Sequence, residues 1–218
     1  MKDIAIFGAG GMGRETACLI DRLNKSGECW NFVGFFDDGL PVGQLVSHYG
    51  EVLGGIETLN AWPRDIALSI ALGNPDLIYK IKSAITNPRV SFPNLIDPSF
   101  EIVDPMTFSI GEGNIIQQHC MASCGTSIGD FNLLNGGVSL RHDVVVGNYN
   151  SFMPEVRVSG NVEIGDCNFL GVGSIVIQQI KIGNRVHLGA GGVLIRDPKD
   201  ECLYVGVPAR AVKSLESI

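Results

Sequence analysis

From residue 110 to residue 194 the chain places an apolar residue at every sixth position: Ile110, Ile116, Ala122, Ile128, Leu134, Leu140, Val146, Phe152, Val158, Ile164, Leu170, Val176, Ile182, Leu188 and Leu194. Superimposed on this is an Ile/Val-Gly pair that returns every 18 residues, at Ile110-Gly111, Ile128-Gly129, Val146-Gly147, Ile164-Gly165 and Ile182-Gly183. A period of six matches neither a 3.6-residue helix nor an alternating strand closed by a hairpin. It predicts a hexapeptide solenoid in which each unit is a short strand and a corner, and three units close one triangular coil. The apolar residue points inward, and successive coils lie one strand spacing apart, roughly 4.8 Å. Each coil buries its inner face only against its neighbours, so stability accumulates along the stack. Glycine after the inward residue suits a corner that needs positive φ or a close backbone approach. The pattern runs from about residue 104 to residue 197.

The first part of the chain reads differently. Residues 3–7 form a buried-strand pattern, then come Gly8-Ala9-Gly10-Gly11-Met12-Gly13 and an amphipathic run over residues 14–23. Strand, glycine turn and helix in that order present free N–H groups and the positive end of a helix dipole to an anion. A second strand over residues 32–36 ends in Asp37-Asp38, about where a dinucleotide fold places its ribose-binding acid. A third apolar run, residues 66–72, ends at Gly73-Asn74, a helix is predicted over 75–86 and a short strand over 90–96. This alternation predicts a parallel sheet with its ligand at the carboxyl ends of the strands, beside Gly10, Gly11, Met12, Asp37, Asp38 and Gly73. It amounts to half of a full dinucleotide-binding fold, so one nucleotide is expected rather than NAD. The fold expected is therefore α/β: a half-Rossmann domain over residues 1–97, then a parallel β-helix of hexapeptide repeats over 98–218 with a short C-terminal tail, left-handed on the resemblance given below.

Charge and composition narrow the partners. A net charge of −7 without a basic run argues against nucleic acid. No signal peptide precedes the first strand and no apolar stretch reaches spanning length, so a cytoplasmic protein without membrane contact is expected. Charged residues at 18% are sparse for a fully solvated surface, which suggests surface buried between subunits. The six cysteines form no C-x-x-C pair and read as small buried hydrophobes. Four histidines, His48, His119, His142 and His187, are too widely spaced for a metal site, and none is expected.

His142 is the candidate general base. It falls two residues after the inward Leu140, at an outward corner, and is followed by Asp143. A neutral imidazole whose second nitrogen is held by a carboxylate can take a proton from an amine or hydroxyl attacking a thioester. Whether Asp143 faces His142 or solvent is left open by position alone. Gly160 lies one 18-residue coil beyond His142, and its backbone N–H is the candidate oxyanion donor.

The whole chain resembles the sialic acid O-acetyltransferase and UDP-amino-sugar N-acetyltransferase family of left-handed β-helix enzymes. The resemblance runs from the glycine turn through Asp37-Asp38, Gly73-Asn74 and Asn94-Leu95-Ile96-Asp97-Pro98-Ser99. It continues through Arg141-His142-Asp143, Ser159-Gly160-Asn161-Val162, Phe169-Leu170-Gly171 and Val205-Gly206-Val207-Pro208-Ala209. It implies a homotrimer with acetyl-CoA between adjacent β-helices, the Gly160 amide on the acetyl carbonyl, and backbone near Val172 and Ala190 along the CoA arm. It also implies a uridine nucleotide on the N-terminal turn. Two positions depart from the family pattern: Met12 and Ser151 stand where some members carry histidine, the second being a contact to the acetyl donor. The implied activity is N-acetylation of the 4-amino group of a UDP-linked deoxy sugar for surface polysaccharide synthesis. O-acetylation of sialic acid or a related sugar is the alternative within the family, and a non-catalytic nucleotide-sugar-binding protein is the alternative outside it.

Overall fold

The six-residue period resolves into a three-sided parallel β-helix whose sides are ladders of two-residue strands. One side stacks Glu101–Ile102, Met121–Ala122, Ser139–Leu140, Arg157–Val158, Ile175–Val176 and Val193–Leu194. The next stacks Ser109–Ile110, Ser127–Ile128, Val145–Val146, Glu163–Ile164 and Lys181–Ile182. The third runs through Leu133–Leu134, Ser151–Phe152, Phe169–Leu170 and His187–Leu188 to Cys202–Val205, where Arg210–Ser214 closes it antiparallel. Through the middle of the stack each register partner lies 18 residues away, as Ser139↔Arg157 and Leu140↔Val158 illustrate, while Glu101 pairs with Met121 and His187 with Leu203 at its two ends. This is the hexapeptide solenoid the period predicts, a left-handed β-helix as the resemblance implies, and every sixth-position residue from Ile116 to Leu194 is buried inside it. The computed structural model describes residues 1–215. The chain separates into two compact units, one formed by Met1–Pro98 with Glu112–Ile115, the other by Ser99–Gly111 and the chain from Ile116 onward.

The glycines that follow the inward residues are required by close approach, not by φ. At Gly129, Gly147 and Gly165 a Cβ would press on the backbone of the next coil and on the side chain of Asn148, Asp166 or Asn184. Positive φ falls instead on another column of corner positions, and many of its occupants are ordinary residues, among them Asp143, Asn161 and Gln179. A second polar system runs inside a corner. Asn150 Nδ2 donates to Asn132 Oδ1 at 3.0 Å and to the Gly165 carbonyl at 2.8 Å. Its Oδ1 accepts from the Asn168 backbone N–H at 2.8 Å and from Asn168 Nδ2 at 2.9 Å. Asn150 is fully buried. Asn150→Ala is therefore expected to strand several polar groups at about 1–3 kcal/mol each, lowering stability by about 3–5 kcal/mol in all. Denaturant unfolding measures this, and a loss below about 1 kcal/mol would mean that water replaces the ladder.

The first unit is a five-stranded parallel sheet in the order Val52–Gly54, Trp30–Phe36, Lys2–Phe7, Ile66–Ile70, Val90–Ser91. Helices Gly11–Lys25 and Pro75–Ala84 connect its strands, the second capped by the Asn74 side chain, which accepts from Asp76 N–H at 2.9 Å. The strand over Val52–Gly54 and the short helix Ile56–Asn60 carry no periodic signal and were not expected. The predicted strand over 90–96 is two separate pairs, Val90–Ser91 and Leu95–Ile96, because Pro93 interrupts it. Arg22 and the buried Asp97 form an ion pair at 2.6 Å within this unit.

Candidate active site

The sheet order reverses beside Lys2–Phe7: the chain leaves it for Trp30–Phe36 on one side and returns to Ile66–Ile70 on the other. In parallel α/β sheets ligands bind at the carboxyl ends of such a switch point, and there the structure gathers Gly8–Gly13, Asp37 and Gly73. The glycines divide into two kinds. A Cβ at Gly8, whose φ is +104, would meet the Ala71 carbonyl oxygen at 2.9 Å, so this glycine lets the turn pass the end of strand Ile66–Ile70, and one at Gly13 would overlap the Gly8 carbonyl, so that glycine packs helix against strand. Gly10, Gly11 and Gly73 have open space where a side chain would lie. The helix beginning at Gly11 has no side-chain cap and no acidic residue in its first turn, leaving its end electropositive.

Asp37 holds this turn in shape. One carboxylate oxygen accepts from Ala9 N–H at 2.9 Å and the other from Gly39 N–H at 2.8 Å. Asp38 accepts from Ile56 N–H at 2.7 Å and so caps the short helix. Both acids thus have structural work beyond the ribose contact the sequence suggests. Met12 is half-buried, its carbonyl accepting from the Thr16 hydroxyl at 2.9 Å.

In the solenoid, His142 and Asp143 occupy the corner after strand Ser139–Leu140, and Gly160 the same corner one coil on. The corner is pinned from both sides: Asp143 N–H donates to the Cys124 carbonyl and Asn161 N–H to the His142 carbonyl, each at 2.9 Å. Asp143 sits at φ 57 and turns its carboxylate onto the neighbouring ring, with His142 Nδ1 at 2.9 Å from Oδ2. A carboxylate there selects the tautomer with hydrogen on Nδ1 and leaves the Nε2 lone pair free. Both side chains are more than half exposed. The imidazole lies flat over Gly160, where a Cβ would overlap Cε1 and Nε2 and stand 2.9 Å from Cδ2. The Gly160 carbonyl accepts from Gln179 N–H at 3.1 Å, whereas its own N–H makes no hydrogen bond among the described residues. A groove of about 470 Å³ opens beside Asp143, edged by Asn161, Glu163 and Lys181. There Glu163 hydrogen-bonds Lys181 and holds its ammonium above the usual range.

Val172 and Ala190 are exposed, and Gly173 and Gly191 beside them leave open space. They occupy the corner before strands Ile175–Val176 and Val193–Leu194, the opposite edge of the side that ends at His142. Six extended residues separate the two edges, roughly 15–20 Å. One chain therefore does not bring these residues to the His–Asp pair. Ser151 departs further from expectation. Its side chain shares an outer face with its register partners Leu133 and Phe169 and is fully buried, and its hydroxyl has no hydrogen-bond partner among the described residues.

The other histidines and the cysteines lie elsewhere. His48 stacks on Tyr49 with ring centroids 4.0 Å apart, and His187 packs against Phe169 at 5.5 Å. Among the described residues no group of three His, Cys, Asp or Glu is arranged to hold a metal ion. No disulfide joins the six cysteines among the described residues, with Cys120 and Cys167 buried as expected but Cys29 and Cys124 exposed. No helix among the described residues is long and apolar enough to cross a membrane. Sequence reasoning missed Gly125, one coil before Asp143. The signal was available, since the same 18-residue step links the two.

An α/β unit with an open, electropositive glycine turn, followed by a β-helix that presents a carboxylate-held histidine at a corner, defines an acyltransferase of the hexapeptide-repeat class. Residues 3–83 match the family described as the PglD N-terminal domain. Across 98% of both chains the protein is similar, at 28% identity and a TM-score of 0.84, to PerB from Caulobacter crescentus, solved in complex with CoA and GDP-perosamine. It is similar at 27% identity and a TM-score of 0.85 to the acetyltransferase domain of PglB from Neisseria gonorrhoeae in complex with acetyl coenzyme A, covering 97% of this chain and 99% of that one. WeeI from Acinetobacter baumannii matches at 27% identity and a TM-score of 0.87, over 97% of this chain and 100% of that one. No curated protein matches. Along nearly its whole length the chain is thus similar to structures of sugar N-acetyltransferases and acetyltransferase domains solved with CoA or acetyl-CoA.

Proposed function

We propose that the protein transfers the acetyl group of acetyl-CoA to the 4-amino group of a nucleotide-linked deoxy sugar, uridine-linked as the family resemblance implies. The observation that carries this reading is the His142 corner, where an exposed imidazole has Nδ1 on a carboxylate, Nε2 free and a glycine with an uncommitted N–H beneath it. Support also comes from the GDP-perosamine N-acetyltransferase of Caulobacter crescentus, 27% identical, of which a variant was solved with CoA and GDP-perosamine.

Acetyl-CoA, when bound, supplies an acyl group activated as a thioester. His142 Nε2 takes the proton the amine loses as its nitrogen bonds to the acetyl carbon, and returns it to the sulfur as the C–S bond breaks. Asp143 fixes the ring and offsets its transient positive charge. The Gly160 N–H donates to the carbonyl oxygen as negative charge collects there. The exposed, small-residue edge at Val172 and Ala190 suits the pantetheine arm. Because that edge lies a full side away from His142 in one chain, a neighbouring copy supplies it, which is the role the proposed homotrimer plays. Ser151, buried in the chain, takes no part in holding the donor. The open turn at Gly10 and Gly11 with Asp37 behind it takes the nucleotide's phosphates.

The test is thiol release from acetyl-CoA with UDP- and GDP-linked 4-amino sugars, free amino sugars and sialic acid. Turnover that requires a nucleotide-linked amino sugar is the expected outcome, and the preferred base identifies the nucleotide. Turnover with sialic acid alone would replace N-acetylation by O-acetylation, and binding of nucleotide sugar without thiol release would replace catalysis by binding.

A further inference from the structure

Gly125 lies directly beneath the His–Asp pair. A Cβ on it would stand 2.5 Å from Asp143 Oδ1 and 3.5 Å from the Asp143 Cα. Its φ is +67, yet the same column holds Asp143 at 57, Asn161 at 56 and Gln179 at 65, so the backbone conformation does not by itself demand glycine. What demands it is the carboxylate packed on its Cα. The surrounding backbone has little freedom to yield, because Gly125 N–H is tied to Thr107 Oγ1 at 2.8 Å and Asp143 N–H to the Cys124 carbonyl at 2.9 Å. Of the groups in contact, the Asp143 side chain is the one free to move, and moving it breaks the 2.9 Å contact to His142 Nδ1.

We propose that Gly125 is a positioning residue for acetyl transfer: the absence of its side chain creates the seat from which Asp143 orients His142. The proposal rests on the reading of His142 as the base. With Gly160 against the imidazole, two glycines 35 positions apart bracket the pair from the coils before and after it. The fold supplies its own comparison. Gly137, at φ +76, lies in the same way beneath the carboxylate of Glu155, which pairs with the exposed Arg157 at the opposite edge of the side and holds neither His142 nor Asp143. Gly125→Ala and Gly137→Ala therefore carry like backbone and steric penalties, and only the first displaces a carboxylate that holds the base.

The experiment compares wild type, Gly125→Ala, Gly137→Ala, Asp143→Ala and the Gly125→Ala/Asp143→Ala double variant by thiol release and thermal unfolding. Gly125→Ala should lower kcat about tenfold with the KM for acetyl-CoA within about twofold, and Gly137→Ala should leave kcat within about twofold. In the Asp143→Ala background the added Gly125→Ala should change kcat by less than about twofold, since the group it displaces is already gone. Equal losses in the two glycine variants, or additive losses in the double variant, would overturn the proposal. A crystal structure of Gly125→Ala gives a readout independent of turnover, with Asp143 expected to be displaced from His142 Nδ1. If wild type acetylates no acceptor the functional reading fails, while an undisplaced Asp143 in that crystal structure would defeat the seat itself.

Discussion

His142→Ala is expected to lower turnover by about 10²- to 10⁴-fold, the range that general-base removal typically costs. The substitution should leave the fold intact, because the side chain is more than half exposed and the interior of the coil is filled by Leu140 and Val158, not by the imidazole. Thermal unfolding should therefore shift little, as for a surface change of about 0.5 kcal/mol or less. The loss should fall on kcat, since the ring handles a proton during the reaction and contributes little to ground-state binding. Activity within about threefold of wild type would remove His142 from the mechanism. Unfolding of the variant would show that the corner is structural instead.

Gly160→Ala is expected to be nearly as damaging, at about 10²- to 10³-fold in kcat, because its methyl group displaces the general base and crowds the oxyanion donor. Its φ is not in the left-handed region, so alanine adopts the backbone without strain, and the effect is local. The new methyl group would overlap Cε1 and Nε2 of His142 and force the ring off its seat. It would also crowd the approach to the uncommitted N–H. The diagnostic measurement pairs kinetics with unfolding: a large fall in kcat at unchanged melting temperature assigns the glycine to the reaction. A variant that keeps its rate would show that the added methyl neither displaces the ring nor blocks the N–H.

Much of this architecture was legible in advance because the solenoid repeats. Fourteen of the inward positions form an unbroken run of buried residues from Ile116 to Leu194, and a repeat averages out local ambiguity in a way that a single strand cannot. The non-repeating pieces lacked that advantage. Val52–Gly54 has too few residues to show alternation, and Ile56–Asn60 is too short for a helical stripe. The hairpin of Cys202–Val205 with Arg210–Ser214 breaks the six-residue step on which the reading relied. The asparagine ladder at 132, 150 and 168 follows the 18-residue spacing, but hydropathy ranks those positions as surface, whereas the side chains are fully enclosed and bonded to one another.

The site was legible by the same arithmetic. The step from His142 to Gly160 anticipates that one lies on the other, as it does. Orientation was not, because neighbours at a corner can diverge; only the left-handed backbone at Asp143 turns its carboxylate back onto the ring. The same corner logic separates Val172 and Ala190 from His142, a distinction invisible in linear spacing until each residue is assigned to its edge. Ser151 shows the converse limit: an outward position in the repeat is still enclosed when large residues occupy the same face on the coils before and after it.

The interval that joins Gly125 to Asp143 and His142 to Gly160 is one full circuit of the helix, and every coil docks onto the last through the same parallel ladder. Length in such a protein is therefore quantised. Eighteen residues can be added or removed as a unit before Gly125 without altering which groups face one another around the base, whereas a change of one residue between Gly125 and Gly160 takes a partner out of its column. The architecture grows and shrinks by whole circuits in its middle and takes other lengths where the stack begins and ends, with Glu101 twenty residues from Met121 and His187 sixteen from Leu203.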